Sequence, residues 1–197
     1  MSLHSVTKYI GGHSDLLLGV VTSSPYSVMG QKLTPTLKTI HSNMGAVASP
    51  FDCWLALRGL RTLHLRVERQ CESAMSIATF LSSHPLVQKV HYPGLATHPQ
   101  YSLSTRQMKS NLYGGVLSFE VKDEVFAMAL AGAVKTITRA TSLGGTETLI
   151  EHRATIEPAH RITSPKGLLR LSVGLEHVDD LIYDLDTALS TAQKISH

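Results

Sequence analysis

Apolar residues recur every three or four positions along Leu60, Leu63, Val67, Cys71, Ala74, Ala78 and Leu81, which predicts one long amphipathic helix. Pro85 ends it. Just upstream, Ser49-Pro50 supplies an N-cap followed by proline at the first helical position, so a helix opens there, with Phe51 and Trp54 read as core. Asp123 to Val134 forms a further amphipathic helix with acidic residues in its first turn. Val178, Leu181, Ile182, Leu185, Leu189 and Ala192 mark a terminal helix that opens on Asp179 and Asp180. Strands are predicted at Val87–Tyr92 (closed by Pro93-Gly94), Gly115–Val121, Lys135–Thr141 and Leu168–Val173, and a helix at His98–Met108. Before Ser49 the pattern loosens. His4 to Asp15 is rich in Gly, Ser, Thr and His and reads as a loop with short extended pieces. Leu16 to Thr22 is a continuous apolar run with Gly19 inside, consistent with a buried strand. Pro25 to Asn43 is polar and mixed, a short helix and a connection.

Strands alternating with helices give a layered α/β or α+β architecture. One strand before Ser49 cannot make a sheet, so the first part is expected to enter a larger domain midway, with a boundary near Arg58 to Arg61. The 197 residues suffice for one ordinary domain, or a small one plus part of another. Hydrophobic residues at 43% and charged residues at 17% suit a soluble chain, and scattered basic residues with a net charge of +3 give no nucleic-acid footprint. The longest apolar run, Leu16 to Val21, is too short for a bilayer, and no secretory leader is read at the N-terminus. Cys53 and Cys71 make no disulfide framework; they read as reduced thiols in a reducing, cytoplasmic compartment. None of the histidines forms a metal-ligand set, so no metal is expected.

The segment that carries chemistry is Ser5-Val6-Thr7-Lys8-Tyr9-Ile10-Gly11-Gly12-His13-Ser14-Asp15. Alone, Lys8 would be a solvated amine. Hydroxyls three and one residues before it, and glycines after it that allow a sharp turn, suggest instead an amine beside a phosphate. Elsewhere, Arg170 by itself is an ordinary strand arginine, Ser142-Leu143-Gly144-Gly145 a turn, and Glu147 a solvated loop carboxylate. His13 with Asp15 reads as loop stabilisation, His64 with Glu68 as an exposed contact one helical turn apart, and Arg58 and Arg61 as structural or interfacial.

The string SVTKYIGGHSD closely resembles the cofactor-lysine motif of the Cys/Met-metabolism enzymes that depend on pyridoxal phosphate (PLP). Cystathionine γ-lyase, γ-synthase and β-lyase and methionine γ-lyase form that family. The resemblance continues through SNMGAVASPFDCWLALRGLRTLHLR, VHYPGLATHPQ, YGGVLSFEV, TSLGGTETLIEH and LLRLSVGLEHVDDLIYDLDTAL, in family order and spacing. It implies an α/β fold of the aspartate-aminotransferase-like type I class. Residues 1–58 would be the C-terminal remnant of the large PLP-binding domain, and residues 59–197 an α+β small domain. It implies that Lys8 carries PLP and moves protons, that Ser5 and Thr7 contact its phosphate, and that Arg170 binds the substrate α-carboxylate. Ser142 and Leu143 would lie beside the substrate and Glu147 near its distal end.

The implied reaction is carbon–sulfur cleavage or exchange on a sulfur amino acid such as cystathionine. The context of Leu143 and Glu147 leans towards the γ-acting enzymes. A homo-oligomer, a dimer of dimers in intact family members, is expected. The family's upstream half is not represented here. It holds the aspartate that pairs with the pyridine nitrogen, the stacking aromatic and a phosphate turn. Two expectations therefore stand side by side: the C-terminal half of a transsulfuration enzyme, and a non-catalytic remnant that folds or pairs with full-length subunits.

Overall fold

The structure, a computed structural model, describes residues 1–195. It divides into two compact units, Met1–Leu63 and the chain from His64 onward. The junction expected at 58/59 lies within the helix α2 described next.

In the first unit, β1 (Ser2–Ser5) pairs antiparallel with β2 (Gly19–Thr22), Ser5 opposite Gly19. A wide turn, Val6–Ile10, follows β1. Helix α1 (Val28–Met44) opens on Ser27, whose hydroxyl accepts from Gly30 N–H at 2.9 Å, and closes on Gly45 at φ 66°. It continues through Pro35, where sequence pattern predicted only a short helix. Helix α2 (Pro50–Leu60) opens as expected, Ser49 Oγ accepting from Asp52 N–H at 3.1 Å. Phe51 and Trp54 do not enter a core: they are 66% and 57% exposed and stack on each other at 5.9 Å. Strand β2 is likewise exposed rather than buried: Leu37 and His41 of α1 share a groove with Val20 and Val21 without closing over them.

The second unit is built on a five-stranded sheet in the order β3-β4-β7-β6-β5. The strands are β3 (Lys89–His91), β4 (Val116–Glu120), β5 (Thr138–Arg139), β6 (Leu149–His152) and β7 (Leu168–Ser172). All neighbours pair antiparallel except β5 with β6. The expected strand at Lys135–Thr141 shrinks to two residues, because Asp184 captures the backbone before it. β6 was not read from sequence, nor was the short α6 (Arg153–Ile156) that follows it.

Alternation along the strands decides the faces. Leu117, Phe119, Ile150, Leu169 and Leu171 turn to one side. There they join a single apolar cluster with Ala74, Ile77, Ala78 and Leu81 of α3 (Leu63–Ser83), Phe126 and Leu130 of α5 (Glu124–Ala133), and Leu181, Leu185 and Leu189 of α7 (Val178–Ile195). Each of the larger side chains (Leu, Ile and Phe) contributes about 1.5–3 kcal/mol on burial. Ser118 and Arg170, cross-strand partners, alternate to the opposite face, as does Glu151, the partner of Arg170 on β6. That face bears the polar and charged side chains. A further helix, α4 (Tyr101–Gln107), follows β3.

Candidate active site

The lysine turn is fixed by its backbone. Gly11 N–H donates to the Val6 carbonyl at 2.7 Å, closing a wide ring, and Gly12 N–H donates to the Lys8 carbonyl at 2.8 Å. Val6 and Thr7 N–H groups both reach the Leu18 carbonyl, at 2.8 and 3.3 Å. Lys8 itself leaves helical geometry (φ −88°, ψ −127°), and Val6 beneath it is 3% exposed. Helix α2 packs against this turn at Gly59. A Cβ there would collide with the carbonyl oxygens of Ile10, at 2.6 Å, and Gly11.

Ser5, Thr7 and Lys8 are thereby brought within one turn. The Ser5 side chain is exposed; with Thr7 it lines a shallow depression beside Leu3 and Leu17. Thr7 Oγ1 accepts from Leu18 N–H at 3.0 Å, and its own hydrogen reaches the Leu18 carbonyl only at 3.4 Å. That long bond is weak and can be given up to a stronger acceptor.

In the second unit, Arg170 sits at the middle of β7. Its Nη2 donates to the Ser142 carbonyl at 2.7 Å and stands 3.0 Å from Glu151 Oε2. Burial lowers the Arg170 pKa from its ordinary value, Glu151 pulls it back up and Arg153 lowers it. The guanidinium stays charged at any working pH. Glu151, 3% exposed, also meets Arg153 Nη1 at 2.5 Å.

The Ser142–Thr148 loop is tied down along its length. Ser142 adopts φ 93°, a left-handed conformation rare for a residue with a side chain, and so presents its carbonyl to Arg170. Gly144 N–H donates to Ser172 Oγ at 3.0 Å, and Gln70 Nε2 of α3 donates to the Gly145 carbonyl at 2.6 Å. The Thr146 carbonyl accepts from Leu175 N–H at 2.7 Å. Glu176 accepts from Thr148 N–H at 2.7 Å and from its hydroxyl at 2.6 Å. Leu143 is half-buried and Glu147 exposed on this framed loop.

Sequence reasoning missed Gln70, Glu151, Ser172 and Glu176. Gln70 is a polar residue set within an apolar stripe, its one signal in the sequence, and the structure buries it fully. The lysine cluster belongs to the first unit and the arginine cluster to the second.

These two clusters occur in a chain that a family model, Cys/Met metabolism PLP-dependent enzyme, matches over residues 1–190. The chain belongs to that family. It is 43% identical over 195 residues to cystathionine γ-lyase of Dictyostelium discoideum, covering 95% of this chain and 49% of that protein. It is 42% identical to cystathionine β-lyase of Coxiella burnetii (94% and 49% covered) and to L-methionine γ-lyase of Pseudomonas deceptionensis (95% and 47%). The structure of yeast cystathionine γ-lyase superposes with a TM-score of 0.89 at 40% identity, over 97% of this chain and 50% of that one. A metB structure from Corynebacterium glutamicum superposes at 0.86 and 40% identity, over 95% and 48%. The fold is therefore the α/β type I class of this family, and this chain spans about half the length of the curated relatives it matches.

The family is PLP-dependent. The donor set on the lysine turn fits that cofactor: one amine for covalent attachment and two hydroxyls, one exposed and one with a loosely committed hydrogen, within four residues.

Proposed function

We propose that this chain works as part of a PLP-dependent carbon–sulfur lyase or transferase on a sulfur amino acid such as cystathionine, with γ-lyase or γ-synthase chemistry. The observation that carries the reading is Arg170: a rigid strand arginine, desolvated and held by the Ser142 carbonyl, suited to a carboxylate. Lys8, Ser5 and Thr7 would hold the cofactor, which when bound supplies an electron sink at the substrate α-carbon. Lys8 Nζ would take up and return a proton at that carbon. Arg170 would fix the carboxylate and so the direction of the breaking bond. Leu143 and Glu147, on the braced loop, would face the rest of the substrate; their identities favour the γ-acting members.

The same reading takes residues 1–58 as the end of a large cofactor domain and 59–197 as a small domain. It includes a homo-oligomer, favoured by apolar side chains such as Tyr26 and Met44, which are 93% and 75% exposed. It includes the cytoplasm, in keeping with an exposed free thiol at Cys53. The same apolar exposure favours a second reading, a chain that pairs with full-length subunits and does no chemistry.

Adding PLP decides between them. A visible absorption band that disappears in Lys8→Ala supports the enzyme; a folded chain without a band supports the second reading. Incubation with cystathionine, and identification of cysteine or homocysteine as the released thiol, then separates γ from β cleavage.

A further inference from the structure

Glu151 is a carboxylate buried on the sheet face opposite the hydrophobic core. A charge placed there is costly unless cations and donors surround it. Two cations do. Arg153 Nη1 meets Oε1 at 2.5 Å, and Arg170 Nη2 stands 3.0 Å from Oε2. The second contact meets the distance of a hydrogen bond but not its direction. Among the described residues, Oε2 is buried with no hydrogen-bond partner, and so is Arg170 Nε. Glu151 is thus bonded firmly on its outer side and only coulombically on its inner side. Beside it lies a desolvated guanidinium N–H with no acceptor among the described residues. An ion pair of purely structural use would close those gaps, since buried donors are normally satisfied.

Register and chain order explain the arrangement. Glu151 lies directly opposite Arg170 between β6 and β7. Arg153 follows two residues later at the start of α6, with Glu157 4.0 Å away on its other side.

We propose that Glu151 is a positioning residue for Arg170: drawn outward by Arg153, it aims the guanidinium at an incoming carboxylate without saturating its donors. The proposal rests on the assignment of Arg170 as the carboxylate binder. Arg153 is part of the device. Without it, Glu151 closes fully onto Arg170 and takes the donors a substrate needs. The two substitutions therefore move Arg170 in opposite senses. Glu151→Gln frees the guanidinium to wander; Arg153→Met locks it onto Glu151.

The test uses the chain labelled with nitrogen-15. The Arg170 Nε–H signal is assigned by its loss in Arg170→Lys. Its exchange with water should speed up about tenfold in Glu151→Gln and slow in Arg153→Met. With PLP added, the affinity for L-alanine should fall about tenfold in both variants, while that for isopropylamine, which lacks a carboxylate, stays unchanged. If Arg170→Lys leaves L-alanine affinity intact, the assignment of Arg170 itself fails. If Arg170→Lys weakens L-alanine but Glu151→Gln matches wild type in exchange and affinity, only the role of Glu151 fails. A lowered melting temperature in Glu151→Gln without either change makes the residue merely structural and overturns the proposal equally. The exchange measurement needs no cofactor. Should Glu151→Gln not fold, unchanged exchange in Arg153→Met overturns the proposal by itself.

Discussion

Glu157 is a carboxylate held in its charged form by its neighbours. It accepts from the Ser164 hydroxyl, from Thr163 N–H at 2.6 Å and from Ser164 N–H at 3.2 Å, and these bonds bring its pKa down to about 2 from an ordinary 4.5. The folded-state value lies below the unfolded one, so the carboxylate contributes stability that is complete above 4.5 and is lost as pH falls towards 2. Melting temperature followed from pH 6 downward should therefore drop more steeply for wild type than for Glu157→Gln across that window. Parallel curves would count against the account. Ser142 gives a second test at this scale. Its φ of 93° costs a side-chain-bearing residue about 1–3 kcal/mol, which Ser142→Gly should partly recover. A raised midpoint in urea unfolding is the expected result, and a lowered one would mean that the hydroxyl outweighs the strain.

At the scale of elements, the connection from α5 to β5 hangs on one carboxylate. Asp184 of α7 accepts from Lys135 N–H at 2.9 Å, Thr136 N–H at 2.9 Å and Ile137 N–H at 2.9 Å, and is 6% exposed. Asp184→Ala leaves these donors stranded and should cost about 2–4 kcal/mol in denaturant unfolding. In the first unit, Gly59→Ala forces α2 away from the lysine turn and should cost about 1–3 kcal/mol. If PLP binds, its absorption should weaken in the same variant.

These elements also show what the amino-acid order discloses. The Ser49-Pro50 start, the stripe on α3, β4, β7 and α7 announce themselves through local periodicity and capping, and the structure has them. α1 does not, because Pro35 argues against a helix and its flanks are polar. β6 does not, because Glu151 and His152 break the apolar run; their partners, Arg170 and the Lys166 carbonyl, lie on or beside another strand. The candidates Lys8 and Arg170 were singled out through the motifs around them. Glu151 was not, since its contact with Arg170 depends on a cross-strand register that no local pattern encodes.

At the scale of the whole molecule, apolar burial is uneven. Among the described residues of the first unit, the buried hydrophobic side chains are Val6 and Leu16, whereas the second unit encloses a continuous cluster from Ala74 to Ala192. Amide hydrogen exchange should follow this division, with slow exchange on β4, β7, α5 and α7 and fast exchange on β1 and β2. Uniform protection across both would refute the reading. The bracing of the Ser142–Thr148 loop has a consequence for redesign. Its backbone is pinned by Gln70, Ser172, Glu176 and Arg170, none of which contributes the side chains at 143 and 147. Those two positions can therefore be randomised together as interchangeable fittings on a fixed mount, so most library members should keep the parent's soluble yield.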